Sequence, residues 1–335
     1  MRQNLLSELR LTAEEFNPVL EEFIKGEIDE PLLQEKILYA ISIIGERERP
    51  FLVKVATELT GGTFAHTMPL ALAVELFIGA ALTSDDLIDK APTRWGNEAV
   101  WQKWGEAFGL LVSETLHALS NRALSLLWRN ESMDKNIVRQ VVDDFQSAFR
   151  DLFVWQHMQS ALEGIPEVSE GQCIDLAFWR TGRLLQLCLT APAALNGASD
   201  HVLSSLSEYG RLFGIAFQLR DDIIDFIGEE ELIGKPVLGD LRNAQPNFVL
   251  AHFFAHASQE IKQRLLQYWS KRDIQPDTSE ILDICIRAGS LQYAIGVLKT
   301  YCAAAQDALT SLPESQARRL LYEFAELIAD LPICE

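Results

Sequence analysis

The chain has 335 residues, of which 48% are hydrophobic, so it is long and apolar enough to bury a large core. Its formal net charge of −19 repels the phosphates of nucleic acids and of anionic lipids. We therefore expect no nucleic-acid partner and no role at a membrane surface. The five cysteines are scattered without a CxxC pair, which is typical of reduced thiols and favours a cytoplasmic location.

Helical periodicity runs through nearly the whole chain, and the alternating pattern of β-strands is missing. The N-terminal stretch is amphipathic and acidic, which is not the pattern of a secretory signal. Long helices are predicted at 70–89, 141–164 and 201–228, and the last should end at Gly228. Every apolar run of about 18 residues contains charges or helix breakers, so we expect no membrane span. The prediction is one all-α domain over 1–335.

Two short stretches, 84–96 (SDDLIDKAPTRWG) and 218–225 (QLRDDIID), each place three aspartates within five positions. At 3.6 residues per turn, the three carboxylates of each stretch share one helix face. Crowded carboxylates raise one another's pKa unless a cation lies among them, and Mg²⁺ binds carboxylate oxygens together with substrate phosphate. A solvated acidic face is the alternative, which the apolar character of both helices disfavours. The candidate catalytic residues and metal ligands are Asp85, Asp86, Asp89, Asp221, Asp222 and Asp225.

With their surroundings, these motifs resemble those of the trans-isoprenyl diphosphate synthases, or polyprenyl synthetases. DDLID is followed by RWG where that family has RRG, and 217–225 reads FQLRDDIID, which matches the family's FQxxDDxxD. GERERP at 45–50 and RTG at 180–182 stand where the family has GGKRxRP and KTG. The resemblance extends from about residue 40 to about residue 310, and so covers most of the chain.

The resemblance implies a bundle of long helices around a deep central cavity, a homodimer, and Mg²⁺ (three ions once substrate is bound) between the aspartate motifs. It also implies that an allylic prenyl diphosphate loses its diphosphate to leave a carbocation, which isopentenyl diphosphate attacks in ordinary members. The residues that it assigns to diphosphate binding are Arg47, Arg49, Arg94, Gln156, Arg180, Thr181, Gln218 and Lys235. Those that it assigns to the pocket are Ile78, Ala80, Ala81, Trp95 and Phe217.

Departures from the family pattern cluster on the side that binds isopentenyl diphosphate. Glu46 replaces a lysine, Ile78 a histidine, Trp95 the second arginine of RRG, and Gln245 a further lysine. Losing several charge-assisted hydrogen bonds to a diphosphate would cost on the order of 5 kcal/mol. We therefore expect that isopentenyl diphosphate is not the normal acceptor.

An intact allylic site beside an altered acceptor site leaves several functions open. The carbocation is expected either to cyclise, as in a terpene synthase, or to pass to another acceptor, such as a tryptophan of a peptide or a small molecule. The alternative is an ordinary synthase that adds isopentenyl diphosphate, alone or with a partner subunit. A non-enzymatic regulatory subunit is disfavoured, because such a subunit has little reason to keep both aspartate triads.

Substrate length is predicted from the residues four and five positions before the first aspartate, which form the pocket floor in the family. They are Ala81 and Ala80, both small, so an allylic chain of fifteen carbons or more is expected. Four aromatic residues follow the first motif at near-helical spacing, which favours packing in the core or a dimer interface over a lining for the cation pocket. They are Trp95, Trp101, Trp104 and Phe108.

Overall fold

The computed structural model describes residues 2–165, 167–227, 238–270 and 278–331. Gly228 and Lys235 lie outside these residues, so the predicted helix end and this predicted ligand are not described. The helices are α1 (Arg2–Glu27), α2 (Pro31–Ser42), α3 (Glu48–Leu59), α4 (Phe64–Asp89), α5 (Val100–Trp104), α6 (Glu106–Ser125), α7 (Lys135–Leu162), α8 (Glu170–Ala177), α9 (Arg183–Leu195), α10 (Asp200–Ile227), α11 (Gly239–Arg242), α12 (Phe248–His256), α13 (Gln259–Ser270), α14 (Thr278–Arg287), α15 (Ser290–Ala308) and α16 (Gln316–Ala329).

The architecture is an all-α bundle, as predicted, and one continuous hydrophobic core runs through it from Leu5 to Leu331. Helix α4 lies at its centre, with α3, α6 and α9 packed against it, while α10 packs against α9 and α15. From Leu70 to Ala80 every residue of α4 is buried, because its neighbours cover all sides of this apolar stretch. The bundle thereby fixes the C-terminal end of α4, where the first aspartates lie.

Helix α4 is also the one helix in the described part of the chain with the length and hydropathy of a membrane span. These two properties alone are weak evidence for a membrane span, because a helix in a protein core also has them. Of the most apolar window of α4, 72% is buried inside the protein. Its apolar character is accounted for by its contacts with the helices around it.

A two-stranded hairpin, β1 (Thr93–Arg94) and β2 (Asn97–Glu98), follows α4 and corrects the prediction that the chain contains no sheet. Trp95 and Gly96 form its two-residue turn with φ values of 50° and 74°. Positive φ at both turn residues matches the twist of paired strands, although a bulky residue rarely adopts it. The hairpin is short, but it brings Arg94 back over the end of α4.

Helices α8 and α9 are joined without a break by a π-helical segment at Phe178–Gly182. Ser169 and Gln172 form a capping box that begins α8. The π segment lies against α10 at two glycines, because a Cβ atom built on Gly214 would lie 2.2 Å from the Cα of Gly182. The two backbones therefore touch next to Thr181 on the π segment and about one turn before Gln218 on α10.

Candidate active site

The first aspartate motif occupies the last turn of α4, where its carboxylates meet arginines from two other segments. Arg94 of the hairpin donates to Asp86 through Nη2 at 2.5 Å and Nε at 3.1 Å. Arg180 of the π segment places Nη2 3.7 Å from Asp85 Oδ1. Both cations offset the unfavourable position of carboxylates at a helix C-terminus. The motif is therefore paired with two arginines before any metal is considered.

Crowding and burial make the first motif costly to ionise. Burial, together with the nearby carboxylate of Asp85, raises the pKa of Asp89 to about 6. Burial also raises the pKa of Asp86, although the Arg94 guanidinium opposes this shift. Carboxylates with raised pKa values gain most from a further cation placed among them.

In the second motif, on α10, the three carboxylates have different surroundings. Asp222 is buried and accepts the backbone N–H of Phe248 at 2.9 Å and Nε2 of Gln218 at 3.1 Å. Asp225 is buried and accepts the backbone N–H groups of Gly239 and Asp240, which fastens α11 to α10. Asp221 alone is exposed. Burial and Asp240 raise the pKa of Asp222.

The π segment joins the two motifs. Besides reaching Asp85, Arg180 donates through Nη1 to Oε1 of Gln159 on α7. The neighbouring Thr181 donates to Gln218 Oε1 at 2.9 Å, one hydrogen bond away from Asp222. Nε of Arg180 is buried and has no hydrogen-bond partner within the residues that the structure describes. A buried donor without a partner indicates that the site is built to accept an anion.

These groups line a cleft with an empty volume of about 380 Å³, its open mouth included. Most of its lining surface is polar, and Arg180 forms part of it. The lining residues are Gln159, Cys173, Leu176, Ala177, Arg180, Gln218, Asp222, Asp240, Gln245 and Pro246. The cleft thus lies beside the second motif, and two of its lining residues, Arg180 and Gln245, reach Asp85 and Asp89 of the first motif.

Residues predicted on the acceptor side do not gather into a cationic site. Gln245 donates to Asp89 Oδ2 at 3.2 Å, and Ile78 is buried in the core. Trp95 is 56% exposed at the hairpin tip, so it does not pack in the core of the chain, and its packing in a dimer interface stays a prediction. Arg47 is buried and engaged by Glu75, Asn17 and the carbonyl of Ile41, which speaks against its assignment to diphosphate binding. Arg49 is half-buried on the first turn of α3.

Below the first motif, the predicted pocket residues continue along one face of α4. Ala81 is half-buried and Ala80 is fully buried. One further turn down, Phe77 stacks on Phe149 of α7 with ring centroids 3.7 Å apart. At 1.5 Å per residue, Phe77 lies about 12 Å along the helix from Asp85. Phe217, on α10 beside Gln218, is partly buried against the same core.

The carboxylates of the described residues could hold magnesium, although they do not form a preformed cage for it. No three His, Cys, Asp or Glu side chains of the described residues lie close enough together to hold a metal without a ligand. Mg²⁺ usually binds through a few carboxylates and completes its shell with water and substrate phosphate, so a preformed cage is not required. The hard oxygen donors, the raised pKa values and the open carboxylate of Asp221 fit such an ion.

Sequence reasoning missed two participants. Gln159, one helical turn after the predicted Gln156, contacts Arg180, whereas Gln156 is half-buried without a described hydrogen bond. The i, i+3 spacing of the two glutamines was the available signal. Asp240 also lines the cleft, and Asn247 donates to it at 2.8 Å. The short sequence DLRNAQPN gave no periodic pattern from which this contact could be found.

Comparison with known proteins agrees with this geometry. The family model described as "Polyprenyl synthetase" matches residues 30–284, most of the chain. The chain belongs to the polyprenyl synthetase family. It is 29% identical to the geranylgeranyl diphosphate synthase of Saccharolobus solfataricus, over 84% of this chain and 85% of that protein. It is 28% identical to the octaprenyl diphosphate synthase of Haemophilus influenzae, over 90% and 89%.

Among solved structures, the geranylgeranyl pyrophosphate synthetase of Pyrococcus horikoshii superposes with a TM-score of 0.89 at 29% identity. The match covers 98% of each chain. The predicted family and the all-α isoprenoid synthase fold are thus confirmed. The relatives named here are isoprenyl diphosphate synthases, so they favour the alternative of an ordinary synthase over the cyclisation or foreign acceptor that the sequence departures suggested first.

Proposed function

We propose that this protein is a Mg²⁺-dependent trans-prenyltransferase that joins an allylic prenyl diphosphate to isopentenyl diphosphate. The observation that carries the proposal is the placement of Arg180. Its guanidinium contacts Asp85 of the first motif and Gln159, lines the cleft beside Asp222, and keeps one buried donor free. An anion placed between the two triads would meet that donor.

The chemical roles follow from the same contacts. The aspartate carboxylates of the two motifs would hold Mg²⁺, which would supply positive charge to the leaving diphosphate. Arg180 stabilises the charge that develops on the diphosphate as the C–O bond breaks. Thr181 and Gln218, joined by a hydrogen bond, orient Asp222 at the opposite side of the cleft. The apolar core below excludes water, which would otherwise quench the allylic carbocation.

Chain length is proposed from the face of α4 that descends from the aspartates. Ala80 and Ala81 place only methyl groups on the first turn below the aspartates, and Phe77, stacked on Phe149, places an aromatic ring on the second. A prenyl chain that extends about 12 Å from the reacting carbon meets this stack. We infer an allylic substrate or product of about fifteen to twenty carbons.

A homodimer is also proposed, from exposed apolar residues on α6 and α7. These helices run antiparallel, because Asn121 of α6 bonds Gln146 of α7, while His117 contacts Phe149 and Phe153. The first half of α6 therefore lies beside the second half of α7. The apolar patch, defined by its exposed residues, is Phe108, Leu110, Leu111, Phe153, Val154 and Met158. Contiguous apolar patches of this kind mark association surfaces.

A second candidate function is cyclisation of the carbocation, or its transfer to an acceptor other than isopentenyl diphosphate. The observation that favours it is the state of the acceptor-side positions. Gln245 is engaged with Asp89, Ile78 is apolar and buried, and Arg47 is held inside the fold. Of the cations predicted there within the described residues, Arg49 is the one that remains available.

One experiment separates these functions. The purified protein is incubated with Mg²⁺ and geranyl, farnesyl or geranylgeranyl diphosphate, with and without isopentenyl diphosphate, and both diphosphate release and prenyl products are measured. Elongated products that require isopentenyl diphosphate support the proposal. Diphosphate release from the allylic substrate alone supports the second candidate, and no release under any condition contradicts both.

Variants of the second motif test the site itself. Asp221→Ala should lower turnover at least about a hundredfold, the scale seen when one electrostatic stabiliser is removed. Asp143→Ala, a change of an exposed aspartate on α7, is the matched control and should leave turnover unchanged. Full activity of the unmodified protein in excess EDTA would contradict the requirement for a metal.

A further inference from the structure

The loop before α3 is held by one buried arginine. Arg47 lies in the left-handed region with φ 65°, after Gly45 at φ 113°. Its guanidinium donates through Nη1 to Glu75 at 2.7 Å, through Nε to Asn17 at 2.8 Å and through Nη2 to the carbonyl of Ile41 at 3.0 Å. These bonds fasten the loop to α1, α2 and α4 at once. A left-handed backbone is unfavourable for arginine, so the bonds are what keep it there.

Glu75, the partner of Arg47 on α4, has one carboxylate oxygen that is left without a hydrogen bond to any residue that the structure describes. Glu75 is 1% exposed, and its Oε2 has no hydrogen-bond partner in the described residues. Burial raises the pKa of Glu75, while the charges of Arg47 and then Arg49 oppose that shift. Arg49 is therefore within electrostatic reach of the spare oxygen. A buried carboxylate with one open oxygen is costly unless a cation lies nearby.

Arg49 itself is free to bind. It lies two residues beyond Arg47, on the first turn of α3, and is half-buried. Over the described ranges, its guanidinium makes no hydrogen bond or ion pair. Helix α3 packs against α4 and α9, so the orientation of its first turn depends on the loop that Arg47 anchors.

We propose that Arg47 and Glu75 are positioning residues, which fix the 44–48 turn so that Arg49 presents its guanidinium to the diphosphate of the acceptor. This inference rests on the proposed function, because it assigns Arg49 to the isopentenyl diphosphate side. Neither Arg47 nor Glu75 touches substrate. Their loss would displace Arg49 without altering the aspartate triads.

Kinetic constants for the two substrates test the inference. Asn17→Ala, Arg47→Lys and Glu75→Gln should each raise KM for isopentenyl diphosphate by about tenfold, the effect of losing one charge-assisted hydrogen bond. KM for the allylic substrate and kcat should stay within about twofold. The control is Tyr209→Phe, which removes a different buried hydrogen bond, to the carbonyl of Leu321 at 2.7 Å. It should lower stability and leave both KM values unchanged.

Asn17→Ala removes a single bond and keeps the ion pair, so it remains informative should the other variants fail to fold. Equal changes in both KM values, or no change in either, would overturn the inference. The same follows if Tyr209→Phe reproduces the selective rise in KM for isopentenyl diphosphate.

A second experiment tests the positioning role by binding, and so does not require that the protein elongates a prenyl chain. Inorganic diphosphate is titrated calorimetrically into the protein in EDTA, where the metal-free aspartate triads repel it from the cleft beside Arg180, so that binding is expected at Arg49. The unmodified protein should bind, Arg49→Gln should not, and the three network variants should bind about tenfold more weakly. If the protein does not elongate but gives this series, the proposed function fails and the positioning role stands. If no metal-free binding occurs, or if Arg49→Gln leaves it unchanged, the positioning role fails.

Discussion

Protonation of Asp89 should visibly affect stability. Burial, together with the Asp85 carboxylate, raises the pKa of Asp89 in the folded protein to about 6, above the ordinary value of 3.8. Between these values the folded state binds more protons than the unfolded state, so stability falls as pH rises from about 4 to about 6. Stability then stays lower at higher pH unless a cation compensates.

The prediction concerns Asp89→Asn in EDTA. Its melting temperature should match that of the unmodified protein near pH 4 and exceed it increasingly up to pH 7, because the variant has no charge to desolvate. Thermal unfolding across this pH range measures the difference, with Asp143→Asn as the exposed control. A variant less stable than the unmodified protein at pH 7 would show that ionised Asp89 stabilises the fold.

At the scale of single helices, the floor of the pocket on α4 decides which chains fit. Ala80→Phe should shorten the prenyl chain that is accepted, because it places a ring on the turn of α4 above Phe77, where alanine has only a methyl group. Phe77→Ala should lengthen the products, since it removes the ring that closes the next turn. Chromatography of the products measures both. Phe324→Ala, which removes another buried ring, is the control for lost packing and should not change chain length.

The contact between the π segment and α10 leads to a further prediction. Gly214→Ala would place a methyl group 2.2 Å from Gly182, so the two backbones must separate. Separation should weaken the hydrogen bond from Thr181 to Gln218 and lower kcat by at least about tenfold, in line with the effect of small misplacements on catalysis.

Gly296→Ala is the matched control, because nothing lies within 4 Å of the added carbon on α15. It should stabilise the protein by about 1 kcal/mol, the usual gain of alanine over glycine in a helix. Measured kcat and melting temperature separate the two variants. A Gly214→Ala protein with normal kcat would mean that the glycine contact does not set the geometry of the site.

The sequence predicted the long helices closely, and the reason is their strong periodicity. Residues 70–89, 141–164 and 201–228 were expected, and α4, α7 and α10 contain nearly all of them. The aspartate triads were found because both motifs lie within one helix turn. The roles of Arg47 and Gln159 were not found, because each is decided by a partner on another helix. The hairpin was missed because two residues per strand leave no pattern.

At the scale of the whole molecule, the apolar patch on α6 and α7 predicts a dimer. Sedimentation velocity at micromolar concentration should give twice the mass of one chain. Leu111→Arg and Val154→Arg place charges in the patch and should give monomers, because a buried unpaired charge disfavours the interface. Ile286→Arg, an equally exposed site on α14, is the control and should stay dimeric. Dimeric patch variants would place the interface elsewhere.

The π segment at Phe178–Gly182 changes the rotational register between α8 and α9, which are otherwise one continuous helix. It lets α8 turn Cys173 and Leu176 toward the cleft while α9 keeps Leu185 and Cys188 in the core. Removing one residue from the segment would rotate one half of the rod against the other by about 100°, the angle between successive helical residues. Deleting one residue from the segment should therefore lower activity and stability more than any substitution in it, since no rotamer change can undo a rotation of the whole helix.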